Sequence, residues 1–215
     1  MTDLPNIAVS TPLWLALLTT GVGAVEGAII ARRPGAASFD IVGIFVFAVF
    51  LGLGGGMARD ALLGNTPFVA LRTPWYILTV TVSAVLVLVV GRYIEVTSKG
   101  FVLLDSLTLG LYAEIGTQEA LDFKVPIAGA VIVGMFASLT GGAVVSILRR
   151  EVPAIIRPGS PYALLSLAGV LAFLALTPLN GPIAAIACIG VVIIGRFAVL
   201  RWDVETGPVR PLTET

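Results

Sequence analysis

The sequence contains no histidine and a single cysteine, Cys188. Without histidine the commonest general base and the commonest transition-metal ligand are missing. One cysteine excludes an intrachain disulfide, and its place in an apolar run reads as a buried, inert thiol. Charge is also scarce: 12% of the 215 residues are Asp, Glu, Lys or Arg, against about 25% in a soluble domain. The 13 basic and 13 acidic residues balance, so net charge names neither a nucleic acid nor an acidic partner. No nucleophile stands beside an evident base and no metal-ligand cluster appears. The chain does not read as an enzyme, and no cofactor is expected. Only Asp3, and no Lys or Arg, precedes the first apolar run, which argues against a cleaved signal peptide.

What the chain has instead is apolar length. At 57% hydrophobic residues it has too little polar surface to face water, and lipid is the solvent that fits. A membrane-crossing helix needs roughly 20 mostly apolar residues. Seven spans are read at about 11–31, 41–63, 75–94, 101–121, 126–148, 161–177 and 182–200. Breakers separate them: Arg32-Arg33-Pro34-Gly35, the stretch from Pro67 to Pro74, Pro153 to Pro161, and Thr177 to Pro182. Trp14, Trp75 and Trp202 fall near span ends, as interfacial anchors do.

Basic residues in the connections set the orientation. With the N-terminus outside, the inner face receives Arg32, Arg33, Arg92, Lys99, Arg149, Arg150, Arg157, Arg196, Arg201 and Arg210. The outer face keeps only Arg59, Arg72 and Lys124. The expectation is a multi-pass inner-membrane protein with its N-terminus out and its C-terminus cytoplasmic.

The chain also matches itself. At an offset of 86 residues, Gly54-Gly55-Gly56 through Pro67 falls on Thr140-Gly141-Gly142 through Pro153. Gly43 then meets Gly129, Phe50 meets Phe136, and Tyr76 meets Tyr162. Upstream, Gly27 matches Gly116 if the first copy carries three extra loop residues. Each copy holds three spans, an odd number, so the second copy enters from the opposite face. The predicted fold is an all-α integral membrane protein with seven transmembrane helices: two inverted three-helix repeats plus a C-terminal seventh helix. It forms one transmembrane domain over 1–201, with repeat one at about 11–95, repeat two at about 100–177 and helix seven at about 182–200. A flexible tail is expected over 202–215.

Glycine costs about 1 kcal/mol relative to alanine inside a helix, so Gly54 to Gly56 should loosen or kink the second span. Matched breaks in two repeats point to a permeation or binding site. Close packing through small residues, as in Gly52-x-x-x-Gly56, is the plainer alternative.

Several polar residues fall within spans. Glu26 and Glu114 are carboxylates at membrane depth, where charge faces water or a partner, unless they lie in the interface. Thr117 and Gln118 share the helical face of Glu114, and Ser138 and Thr140 precede the second glycine pair. Together these could line a polar, cation-tolerant route. Asp105, Glu119 and Asp122 lie close to span ends and read as interfacial. Arg59 and Asp60 follow the first glycines directly. They could cap a broken helix, pair structurally, or gate a pore electrostatically.

The segment Gly54-Gly55-Gly56-Met57-Ala58-Arg59-Asp60-Ala61-Leu62-Leu63-Gly64 through Pro67 resembles the GGGxxRDxLLGxxP motif of the prokaryotic trimeric intracellular cation (TRIC) channels, a group also labelled as a glycine-transporter family. The resemblance covers nearly the whole chain. It implies a homotrimer in a lipid bilayer, with one pore per protomer passing monovalent cations, chiefly potassium and also sodium. It places pore hinges at Gly54, Gly55 and Gly56 and at Thr140, Gly141 and Gly142. Arg59, Asp60, Ser138, Ser146, Glu26, Glu114 and Thr117 are the candidate pore-lining or gating residues. The second copy departs from the motif: Val145 and Ser146 stand where relatives often repeat the Arg-Asp pair. A near-symmetric backbone with asymmetric chemistry is expected, with Arg59 and Asp60 facing Val145 and Ser146. A secondary transporter of a small solute such as glycine is the competing reading.

Overall fold

A computed structural model describes residues 11–33, 38–90, 99–159 and 161–207. Pro34, Gly35, Arg92 and Arg210 of the sequence reading lie outside these residues, as do the ends of the predicted third span and of the tail. Eight helices are described: α1 Leu13–Ala31, α2 Ile41–Leu63, α3 Val69–Arg72, α4 Trp75–Val90, α5 Lys99–Asp122, α6 Ile127–Leu148, α7 Tyr162–Leu176 and α8 Gly181–Arg201. Seven correspond to the predicted spans. The eighth, α3, is a single turn in the loop after α2.

Local chemistry sets the ends. The Asp40 side chain accepts from Gly43 N at 2.8 Å and caps α2. Gly64 closes the same helix at φ 65°, the left-handed conformation that glycine adopts without strain. Asn180 caps α8 by accepting from Ile183 N, with Pro182 in the first turn. The described part of the expected tail is tied down: Thr206 and Gly159 exchange backbone hydrogen bonds of 2.7 and 3.0 Å. This short bridge is the extended pairing seen among the described residues.

Burial is inverted relative to a soluble protein. Ile77, Val82, Leu86 and Val89 on α4 and Ile186 and Ile194 on α8 are exposed, while Glu26, Arg59, Asp60, Glu114 and Arg149 are buried. A contiguous apolar exterior of this kind suits lipid. Helices α1, α2, α6 and α8 are long and apolar enough to cross a membrane. At 15 residues, α7 is about 22 Å long, short of a hydrocarbon core of about 30 Å. The 24 residues of α5 are long enough but polar. Its carboxylates Asp105, Glu114 and Glu119 turn inward because α5 is the central helix, packed against α1, α2, α6, α7 and α8.

The packing has two similar parts. In the first, α1 lies on α2 and α4; in the second, α5 lies on α6 and α7. A Cβ on Gly27 would strike the carbonyl oxygen of Phe47, and one on Gly116 would crowd Gly134 and the carbonyl of Val133. Phe47 and Val133 are 86 residues apart, so equivalent glycines seat equivalent helix pairs.

Candidate functional site

The two parts meet where α2 crosses α6. Neither helix breaks at its glycines: both assignments are continuous through Gly54–Gly56 and Thr140–Gly142. The expected interruption is absent because small residues let two intact helices approach backbone to backbone. A Cβ on Gly55 would collide with the carbonyl oxygen of Ala137, and one on Gly141 would lie 3.2 Å from the carbonyl oxygen of Leu51. Gly54 faces the Cα of Gly141, 3.5 Å from where its own Cβ would stand. Leu51 and Ala137, like Gly55 and Gly141, are 86 residues apart. The contacts are reciprocal, as across a two-fold axis, and their order makes α2 and α6 antiparallel.

Two cavities flank this crossing, and Tyr112 of α5 lines both. One, of about 30 Å³, is bordered by Thr19, Thr20, Gly52, Gly56, Arg59 and Asp60. The other, of about 20 Å³, is bordered by Glu26, Thr108, Ser138, Gly141, Gly142 and Tyr162. Each has room for a water-sized particle. Between them the Tyr112 ring packs where Cβ atoms on Gly23 and Gly55 would lie, and its hydroxyl donates to the carbonyl of Gly52. The offset that aligns Gly27 with Gly116 puts Tyr112 opposite Gly23. The large residue of one copy therefore fills the space left by the small residue of the other.

The Arg59 cavity ends in a buried charge cluster. The Arg59 guanidinium donates to Asp60 Oδ1 at 3.0 and 2.8 Å and pairs with Glu119 Oε2 at 3.1 Å. The second oxygen of Asp60 accepts from Val69 N at 2.7 Å, fixing the start of α3. Two carboxylates face one guanidinium. Glu119 thus faces Arg59 inside the protein and is not the interfacial residue that its place near a span end suggested.

Arg59 and Asp60 pair with each other, with Glu119 and with the start of α3. Val145 is core, and Ser146 donates to the Gly142 carbonyl. The second copy's arginine comes one helical turn later. Arg149, 4% exposed, donates to the carbonyl of Ile30 at 2.8 Å and to Glu151 at 2.9 Å. Arg59 and Arg149 each tie the second helix of one part to the last turns of the first helix of the other part. A search for arginine four residues beyond Val145 on the same helical face would have found it.

Of the other expected residues, Ser138 lines the Glu26 cavity and contacts Ser166 at 2.6 Å. Glu114, buried on the α8 side near Cys188, lines neither cavity. Thr117 bonds the Ala113 carbonyl and faces Gly134. Thr140 bonds the Phe136 carbonyl, and Gln118 pairs with Asp122. The residues expected to form a polar route along the Glu114 face of α5 border neither of these two cavities. Asp105 also turns inward, to the Tyr162 hydroxyl at 2.8 Å and Arg196 at 3.7 Å.

A helical bundle with an apolar exterior, polar internal cavities and two similar three-helix parts defines a multi-pass membrane transport protein. The profile of the glycine-transporter family matches the chain over residues 13–92 and again over 102–178, and the chain belongs to this family, which includes the TRIC channels. Among curated relatives, the "UPF0126 membrane protein" of Deinococcus radiodurans is 31% identical over 202 residues, covering 94% of this chain and 93% of the relative. The "UPF0126 inner membrane protein YadS" of Escherichia coli K12 is 26% identical over 195 residues, covering 89% and 93%. Among solved structures, the TRIC trimeric intracellular cation channel orthologue from Rhodobacter sphaeroides superposes with a TM-score of 0.81 at 28% identity. It covers 89% of this chain and 98% of that one.

Proposed function

We propose that this protein is a monovalent cation channel of the inner membrane, passing potassium and also sodium, with one pore in each protomer of a homotrimer. The observation that carries the reading is the pair of cavities aligned on either side of Tyr112 at the α2–α6 crossing. They lie between the two three-helix parts, where a pathway through an inverted repeat runs. The reciprocal contacts of Gly55 with Ala137 and of Gly141 with Leu51 support that inverted arrangement. So does the antiparallel crossing, together with the bias of basic residues that puts the N-terminus outside. Excess carboxylate at the Arg59 cluster and Glu26 in the second cavity favour a cation over an anion. Tyr112 closes the path in this conformation, and the glycines of α2 and α6 are the positions at which the crossing can shift to open it. Glycine transport is the less favoured alternative, since the solved structures that superpose on this chain are cation channels.

Single-channel recording of the purified protein in planar bilayers tests the reading. Unitary potassium currents are expected. Their absence, with saturable glycine uptake into liposomes, would establish a carrier instead.

A further inference from the structure

The Glu26 cavity has a chemical property that conduction alone does not require. Its polar wall is Glu26, Thr108, Ser138 and Tyr162, and each hydroxyl has an acceptor other than Glu26. Thr108 donates to the Leu104 carbonyl at 3.0 Å. Tyr162 donates to Asp105 Oδ1 at 2.8 Å. Ser138 donates to the Met135 carbonyl at 2.9 Å and is left to accept from Ser166. Lone pairs on these three oxygens remain available to a cation.

Glu26 completes the wall. It is 3% exposed, and its Oε2 has no hydrogen-bond partner. Its side chain hydrogen-bonds with those of Thr108 and Asp105, and Oε2 is the oxygen left over. Among the described residues no Lys or Arg nitrogen pairs with it. Positive charge acts from further off. Arg196 is engaged with Asp105, and Arg33 is stacked over the Phe101 ring at 4.3 Å. A buried carboxyl beside a second carboxyl, with one oxygen left without a donor, is costly unless a cation joins it.

We infer that this cavity binds one dehydrated monovalent cation, held by the Glu26 carboxylate and the hydroxyl oxygens of Thr108, Tyr162 and Ser138. The inference rests on the channel reading and deepens it: the path contains a station where an ion rests beside the Tyr112 closure. The volume of about 20 Å³ suits a single particle of this size. No group of three or more His, Cys, Asp or Glu side chains fit to hold a metal gathers among the described residues, which disfavours a divalent ion.

Thallium(I), an electron-dense stand-in for potassium, tests the site in crystals of the full chain soaked at alkaline pH. An anomalous peak is expected in the cavity, in contact with the Glu26 carboxylate, and is expected to vanish in Glu26→Gln crystals. Thallium affinity of the purified protein, measured by calorimetry, should fall about tenfold or more in the same variant, as for the loss of one charged ligand. An empty cavity in the wild-type crystals overturns the site without reference to any variant, and leaves a proton on Glu26 as the compensating cation. A peak of equal height in Glu26→Gln overturns it too. Bilayer recordings separate the two readings: a thallium peak without currents removes the channel and keeps the site, and currents without a peak do the reverse.

Discussion

The Tyr112 hydroxyl donates to the carbonyl of Gly52, and this bond ties α5 of one three-helix part to α2 of the other between two cavities. Tyr112→Phe keeps the ring and removes the bond. It is predicted to raise open probability in planar bilayers and to cost about 1 kcal/mol of stability. Tyr112→Ala joins the cavities and leaves a void. It should raise conductance further while costing about 3–5 kcal/mol. Wild-type gating in both variants would take Tyr112 out of the pathway.

The glycines divide by what surrounds them. Gly55→Ala forces a methyl against the Ala137 carbonyl and the Tyr112 ring, and about 1–3 kcal/mol of destabilisation is expected from overpacking. Gly142→Ala meets nothing within 4 Å and should stabilise by up to about 1 kcal/mol through helix propensity. Thermal unfolding in detergent compares them. Equal effects would mean that the α2–α6 approach is looser than described.

Arg59→Ala strands Asp60 and Glu119 as buried carboxylates without their cation. A loss of about 3–5 kcal/mol is expected, together with altered open probability. Glu119→Gln should be milder, because Asp60 still pairs with Arg59. A double-mutant cycle between positions 59 and 119 reads their coupling directly. Strict additivity would show that the 3.1 Å pair contributes nothing.

Orientation is open to labelling. Cys188 is fully buried, so the native chain gives little background with a membrane-impermeant maleimide. Leu71→Cys in α3 and Ile156→Cys after α6 both replace exposed residues. In intact cells the first should be labelled and the second protected. The opposite result would reverse the predicted topology.

Much of the architecture was legible because lipid imposes long apolar runs and glycines mark close helix contacts. The seven long helices fall within a few residues of their predicted ranges. The glycine register that aligned the two copies is the register of the reciprocal contacts at the crossing. The site was less legible, since its members are joined by tertiary packing. Tyr112 looked like one more apolar-span residue, and only its position opposite Gly23 hinted that it fills the other copy's space. Asp105 and Glu119 lie near span ends, where charge usually reaches the interface. Which way they turn depends on α5 being enclosed, and no local pattern encodes that. Glycine runs predict breaks because their intrinsic helix propensity is low. In the structure, proximity to a second helix decides the outcome.

The enclosed position of α5 bears on how the chain enters the membrane. Asp105, Glu114 and Glu119 would make this helix a poor solitary guest in lipid, since each carboxylate at bilayer depth is costly. Arg59 of α2 answers Glu119, and Arg196 of α8 answers Asp105. One partner is synthesised before α5 and the other well after it. The helix can therefore settle only when segments made early and late gather around it, so insertion and tertiary assembly are a single event at the centre of this protein.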